Sequence, residues 1–132
     1  MSDVLQLPAT NQESPPSEIL LRMIYDVLAN GFALAGSEDV TAHPGGGQAN
    51  ATLMTKKTVN INVCATDDDS VKTLNALTGF QYLIRNTGVA TVMIYPAQSE
   101  QFDGLSVDEG YELEVDGQIT LTCVEQGVWH IN

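Results

Sequence analysis

The side chains of this 132-residue chain that suggest chemistry are mostly carboxylates, and they fall in two groups: Asp67, Asp68 and Asp69, and then Asp103, Asp108 and Glu109. Hard cations take carboxylate oxygens, so calcium is the chemistry to weigh first. The EF-hand spacing fails at the triple aspartate, which has neither a glycine at the sixth position nor a glutamate at the twelfth. A solvated acidic turn is the favoured reading of both groups, with a weakly held cation as the alternative. His43 and His130 have no Cys or His partner at metal-ligand spacing and read as surface residues. Gly45-Gly46-Gly47-Gln48 matches neither phosphate-loop pattern and has no helix after it to supply amides. Serines are present without the GxSxG elbow. Cys64 and Cys123 lie in apolar, strand-like runs with no CxxC, and read as buried thiols acting as small hydrophobes. Paired carboxylates for glycoside hydrolysis would need a cleft that a β domain of this size seldom builds. The reading is of a protein that is not an enzyme, with no catalytic, cofactor-binding or metal residues assigned and no cofactor.

Charge narrows the partners. Seventeen acids face five basic residues, for a net charge of -12, and no Lys or Arg follows Arg85 while acids continue to Glu125. Such a surface repels a phosphate backbone and anionic lipid alike, so neither nucleic acid nor membrane is expected as a partner. The first residues lack the basic and apolar stretches of a secretory signal, and no run is long and apolar enough to span a bilayer, so synthesis in the cytoplasm is expected.

The elements that carry these residues read as follows. Residues 1–17 form an extended arm, because Pro8, Pro15 and Pro16 deny it a regular ladder or helix. Residues 18–31 form an amphipathic helix of about three turns: Ser17 is the N-cap, Ile19, Leu20, Met23, Ile24, Val27 and Leu28 make the stripe, and Asn30-Gly31 ends it. The stripe either covers a face of the following domain or serves self-association.

Residues 32–132 form a β domain. Phe32 to Ala35 and Ala49 to Met54 are candidate strands, with the glycine-rich segment at 43–47 as a loop between them. Val59, Ile61 and Val63 alternate with asparagines, which places the three on one face. Val71 to Leu77 reads as a short edge segment. Phe80, Tyr82 and Ile84 share a face, as do Val92 and Ile94, and Tyr111, Leu113 and Val115. Asp116-Gly117 between two alternating runs is the strongest hairpin signal, and Gln126-Gly127 turns the chain so that Trp129 returns to the core. The fold expected is mainly β, a small antiparallel sandwich or barrel with the arm and one short helix ahead of it. Tyr82, Tyr95, Tyr111 and Phe102 read as core residues, with a sugar-stacking platform as the competing use.

One resemblance rests on these residues. Asp69-Ser70-Val71-Lys72, the strand from Gly79 ending in Asn86-Thr87-Gly88, the Tyr95-Pro96 step, Tyr111-Glu112-Leu113, and Cys123 followed by Gly127-Val128-Trp129 together resemble small β-structured virion proteins of tailed bacteriophages. The similarity covers about half the chain. It implies a structural virion protein: a capsid decoration (cement) protein on the capsid exterior, bound to the major capsid protein; association with itself, as a trimer, is the expectation for this chain. The alternative it carries is a head- or tail-fibre component, or a carbohydrate-binding adhesin module. Leu5, Leu7, Ile19, Leu20, Met23, Ile24 and Val27 are then the candidate capsid and oligomer contacts.

Overall fold

A computed structural model describes residues 35–132, together with Leu20 and Leu21. The chain divides into two units, Met1–Phe32 and Ala33–Asn132. Of the first, Leu20 and Leu21 are helical and exposed. The expected arm, the rest of the helix and its caps lie outside the described residues.

The second unit contains ten strands: β1 (Ser37–Thr41), β2 (Thr52–Leu53), β3 (Thr58–Val63), β4 (Asp69–Lys72), β5 (Gln81–Asn86), β6 (Val92–Tyr95), β7 (Gln101–Phe102), β8 (Tyr111–Leu113), β9 (Gln118–Glu125) and β10 (Val128–Ile131). They make a six-stranded sheet A, in the order β1-β3-β5-β9-β10-β7, and a four-stranded sheet B, in the order β2-β4-β6-β8. Successive strands alternate between the sheets from β1 to β6. The chain therefore winds: β1, β3 and β5 lie parallel in sheet A, and β2, β4 and β6 lie parallel in sheet B. Parallel neighbours need a crossover, and here each crossover contains a strand of the opposite sheet rather than a helix.

After three coils the direction reverses. β8 runs antiparallel to β6, β9 antiparallel to β5, and β10 returns antiparallel along β9. The short β7 closes the edge of sheet A, parallel to β10. The fold is mainly β, as expected, but it is a β-solenoid winding and not an antiparallel sandwich or barrel. Five of the eight ladders are parallel. The physical reason for the difference is that a period of two fixes which face a side chain takes and says nothing about the direction of the neighbouring strand.

Alternation holds where it was read most clearly. Tyr82 and Ile84 from β5, Val92 and Ile94 from β6, Leu113 from β8, and Ile119, Leu121 and Cys123 from β9 all point between the sheets and are buried. Val59 and Ile61 join them from β3, but Val63 is 45% exposed. The pairing with β1 slips between Val40 and Thr41, so that Ile61 and Val63 become successive partners. This bulge turns Val63 outward and Cys64 inward. Val115 is also exposed, because β8 ends at Leu113.

Two buried aromatics stitch the sheets together. The Tyr82 hydroxyl donates to Met54 O (2.8 Å) and accepts from Leu74 N–H (2.9 Å), while Trp129 Nε1 donates to Thr73 Oγ1 (3.2 Å). Their rings lie 5.3 Å apart at 57°, a favourable tilted contact. Both therefore grip residues 73–74, the segment just beyond β4. That segment is not the edge strand expected over Val71 to Leu77: β4 lies between β2 and β6 in sheet B, and Val71 is wholly buried.

Asp116-Gly117 does form a turn, with Asp116 at φ 66° and Gly117 N–H donating to Glu114 O at 2.9 Å. It is not a hairpin, because the strands it joins, β8 and β9, belong to different sheets. The hairpin lies at Gln126-Gly127 instead, between β9 and β10, with Gly127 at φ 87°.

Candidate functional site

The corner that joins β5 to β6 is tightly specified. Asn86 is fully buried at its centre. Its amide donates to Ala90 O (2.9 Å) and Leu113 O (3.0 Å), and its carbonyl oxygen accepts from Gly88 N–H (2.9 Å). A β-carbon on Gly88 would stand 2.7 Å from Cys64 N of the preceding coil, so only glycine fits without movement. One Asn-Thr-Gly triplet thus locks the third coil to the second and to β8.

The carboxylates serve similar ends. Asp69, 3% exposed, accepts from the backbone N–H groups of Gly45, Ala65 and Thr66 at 3.1 to 3.2 Å. Asp67 accepts from Thr91 N–H. Two of the three aspartates therefore fasten backbone, and the acidic turn is built on inward bonds. The second group disperses: Asp103 faces His130 Nδ1 at 3.4 Å, Asp108 accepts from Ser99 N–H and Gln48 Nε2, and Glu109 accepts from Ser106 N–H. Glu38 and Glu100 hold the backbone of residues 55–56 and 76 in the same way. Among the described residues no three His, Cys, Asp or Glu side chains are placed to hold a metal ion.

Both cysteines are buried free thiols. Burial, reinforced by the Asp69, Asp67 and Asp68 carboxylates, pushes Cys64 up to about 11 from its ordinary 9.0, and burial likewise raises Cys123. Each is thereby held as the neutral thiol, away from the thiolate that nucleophilic chemistry uses. Of the four aromatics weighed as a sugar platform, Tyr82 and Phe102 are fully buried, while Tyr95 and Tyr111 are half-buried. They cannot form one stacking surface.

Among the described residues two outer faces are left uncovered. On sheet B, Leu53, Lys72 and Tyr95 stand in one row across β2, β4 and β6. Two adjoining depressions of about 300 and 280 Å³ share Lys72 and Gln98, and are lined further by Gln48 and Ala49 on one side and by Leu53, Leu74 and Asn75 on the other. Lys72 Nζ donates to Ala49 O at 3.1 Å, and Gln48 Nε2 reaches Pro96 O at 2.8 Å, so the flanking loops are tied to each other. The groove offers one ammonium and several amides, a set suited to hydrogen bonding with a polar or acidic group.

Sheet A presents a broader face. Its outward residues are Ser37, Asp39 and Thr41 on β1, Thr58, Asn60 and Asn62 on β3, Gln81, Leu83 and Arg85 on β5, and Gln118, Thr120 and Thr122 on β9. Among these residues of β1, β3, β5 and β9 only Asp39 and Arg85 carry charge; over β10 and β7 the same face continues through His130 and Asp103, 3.4 Å apart. In a chain of net charge -12, the β1-β3-β5-β9 part of that face holds a single acid, Asp39.

Of the candidate contacts read from the sequence, Leu20 is the one described, 57% exposed beside Leu21 at 67%. Leu5, Leu7, Ile19, Met23, Ile24 and Val27 lie outside the described residues. Neither outer face was singled out by sequence reasoning. The available signal for sheet A was that two alternating runs, β3 and β9, place uncharged polar residues at successive outward positions. Comparison with family models, with curated proteins and with solved structures finds no match.

Proposed function

We propose that this protein is a structural virion component of a tailed bacteriophage, a capsid decoration (cement) protein that binds the exterior of the major capsid protein lattice and associates with copies of itself. The observation that carries the reading is where the resembling segments sit. Asn86-Thr87-Gly88 closes a coil corner, Pro96 accepts the bond that ties two loops, Tyr111-Glu112-Leu113 is the strand that reverses the winding, and Cys123 to Trp129 forms the closing hairpin. The motifs are thus joints of one body whose loops are fastened by carboxylates, which suits a rigid displayed module better than one that must open and close.

An acid-rich exterior fits the outside of a shell better than its nucleic-acid-lined interior. Binding only to the assembled lattice would stabilise it by mass action. The arm and helix, with Leu5, Leu7, Ile19, Leu20, Met23, Ile24 and Val27, are the proposed lattice contacts.

The test is co-sedimentation of the purified chain with expanded capsids lacking it, with shell melting followed alongside. Saturable binding at micromolar concentration and a raised shell melting temperature are expected; absence of binding discards the reading. The fibre reading is favoured by one observation, the winding itself, since parallel coils lend themselves to elongated forms. Its adhesin variant has lost Tyr82 and Phe102 as stacking residues, and a glycan array without saturable binding would remove it.

A further inference from the structure

The outer face of sheet A carries a charge pattern that is complementary to itself. Asp39, Asn60, Arg85 and Gln118 form one row across β1, β3, β5 and β9, in register. Paired residues of neighbouring strands point to the same side, and the bond from Asn60 Nδ2 to Asp39 Oδ1 (3.3 Å) fixes that side as the outer one. Asp39 and Arg85 therefore stand two strands apart, about 10 Å, with Asn60 midway between them. Asn60 is itself held by Thr87 Oγ1 at 2.8 Å.

We propose that this face is a contact between two copies of the chain, related by a two-fold axis that runs along β3 over Asn60. Such an axis sets Asp39 of one copy opposite Arg85 of the other, and does so twice. An axis running across the strands would place Asp39 on Asp39 and Arg85 on Arg85, so charge selects the first arrangement. Leu83, 38% exposed and one row away, then meets the Ser37 end of β1 in the other copy and loses its contact with water.

Composition points the same way. Interface centres are depleted in Lys, Glu and Asp and tolerate Arg, whereas the rest of this surface is crowded with acids that would repel an identical copy. The inference deepens the self-association within the proposed function and rests on that part of it, while pairing in the absence of capsids and binding to capsids are read by separate experiments. A pair replaces the expected trimer as the unit built through this face.

The face covers only about 500 Å² per copy, less than the 800 Å² or so of a standard interface, so a dissociation constant of about 10–100 μM is expected. The experiment is sedimentation velocity of the full chain across that range. Wild type should double in mass with concentration. Arg85→Asp and Asp39→Arg should each abolish the doubling, because each sets like charges together at both contacts.

An equimolar mixture of the two variants should restore it, because each Asp then faces an Arg again. The double variant D39R/R85D should associate with itself as wild type does, which separates loss of contact from loss of folding. Wild type that keeps one mass throughout, single variants that still double, or a mixture and double variant that both fail to recover would each overturn the proposal.

Discussion

Replacing Asn86 by alanine tests whether the corner between β5 and β6 holds the coils together. The side chain makes three hydrogen bonds of 2.9 to 3.0 Å, to two carbonyls and one N–H, and no part of it reaches solvent. Truncation leaves Ala90 O, Leu113 O and Gly88 N–H in place with their partner gone. A buried group orphaned in this way costs about 1–3 kcal/mol, and partial entry of water lowers the sum, so a loss of about 4 kcal/mol is expected. Against the 5–15 kcal/mol or so that holds a domain of this size together, that is a large fraction.

The internal control is the next residue. Thr87 makes one exposed bond to Asn60, so Thr87→Ala should cost less than about 1 kcal/mol. Asn86→Asp should be worse than alanine at neutral pH, because it keeps the acceptor for Gly88 N–H but removes both donors and buries a charge. The assay is urea denaturation followed by tryptophan fluorescence, with Trp129 as the single reporter. A loss below about 1 kcal/mol for Asn86→Ala, with an unchanged denaturant slope, would refute the reasoning, since it would mean that the three groups find other partners at no cost.

Three further outcomes are expected. Trp129→Ala removes a wholly buried ring and the bond to Thr73, and should cost about 3–5 kcal/mol in urea denaturation followed by far-ultraviolet circular dichroism, since the variant has no tryptophan left to report; a surface-scale loss would sink the placement. Gly88→Ala forces a β-carbon onto the backbone of Cys64 and should cost about 1–3 kcal/mol. Stability should also fall at alkaline pH. Burial raises Cys64 to about 11, so the folded state holds its proton more tightly than the unfolded chain; its contribution is complete below pH 9.0 and is lost as pH climbs through about 11, and Tyr82, also raised by burial from 10.0, extends the loss to still higher pH. The denaturation midpoint should accordingly drop between pH 9 and 11 or so, less steeply in Cys64→Ala, and an identical curve for that variant would remove Cys64 from the account.

Much of the body was legible because alternation is a local property. Tyr82 and Ile84, Val92 and Ile94, and Ile119, Leu121 and Cys123 were assigned to the inner face from sequence, and Trp129 to the core. The winding was not legible, for two reasons. The Asp116-Gly117 turn has hairpin chemistry but spends it on a passage between sheets, and no local signal distinguishes the two uses. The coils are also unequal: in sheet A, Val40 pairs with Ile61 and Ile61 with Asn86, while in sheet B, Leu53 pairs with Lys72 and Lys72 with Tyr95. Those steps differ in length and substitute one residue type for another, so no fixed period announces a repeat. β1 escaped notice because Ser37-Glu38-Asp39 looks like a loop, and only the structure reveals that Glu38 is occupied in holding residues 55–56. The outer faces depend on which strands become neighbours, which one-dimensional pattern does not contain.

The reversal of direction after β6 bears on the order in which the molecule assembles. Each of the three coils meets the next across a short stretch of chain, so they can form in sequence as the polypeptide emerges, at modest loop-closure cost. Trp129 must instead reach back 56 residues to Thr73. The last hairpin is therefore expected to dock late, as a bolt across coils already wound, and chains cut before Gln126 should remain collapsed but unlatched, losing kinetic resistance to unfolding well before they lose secondary structure.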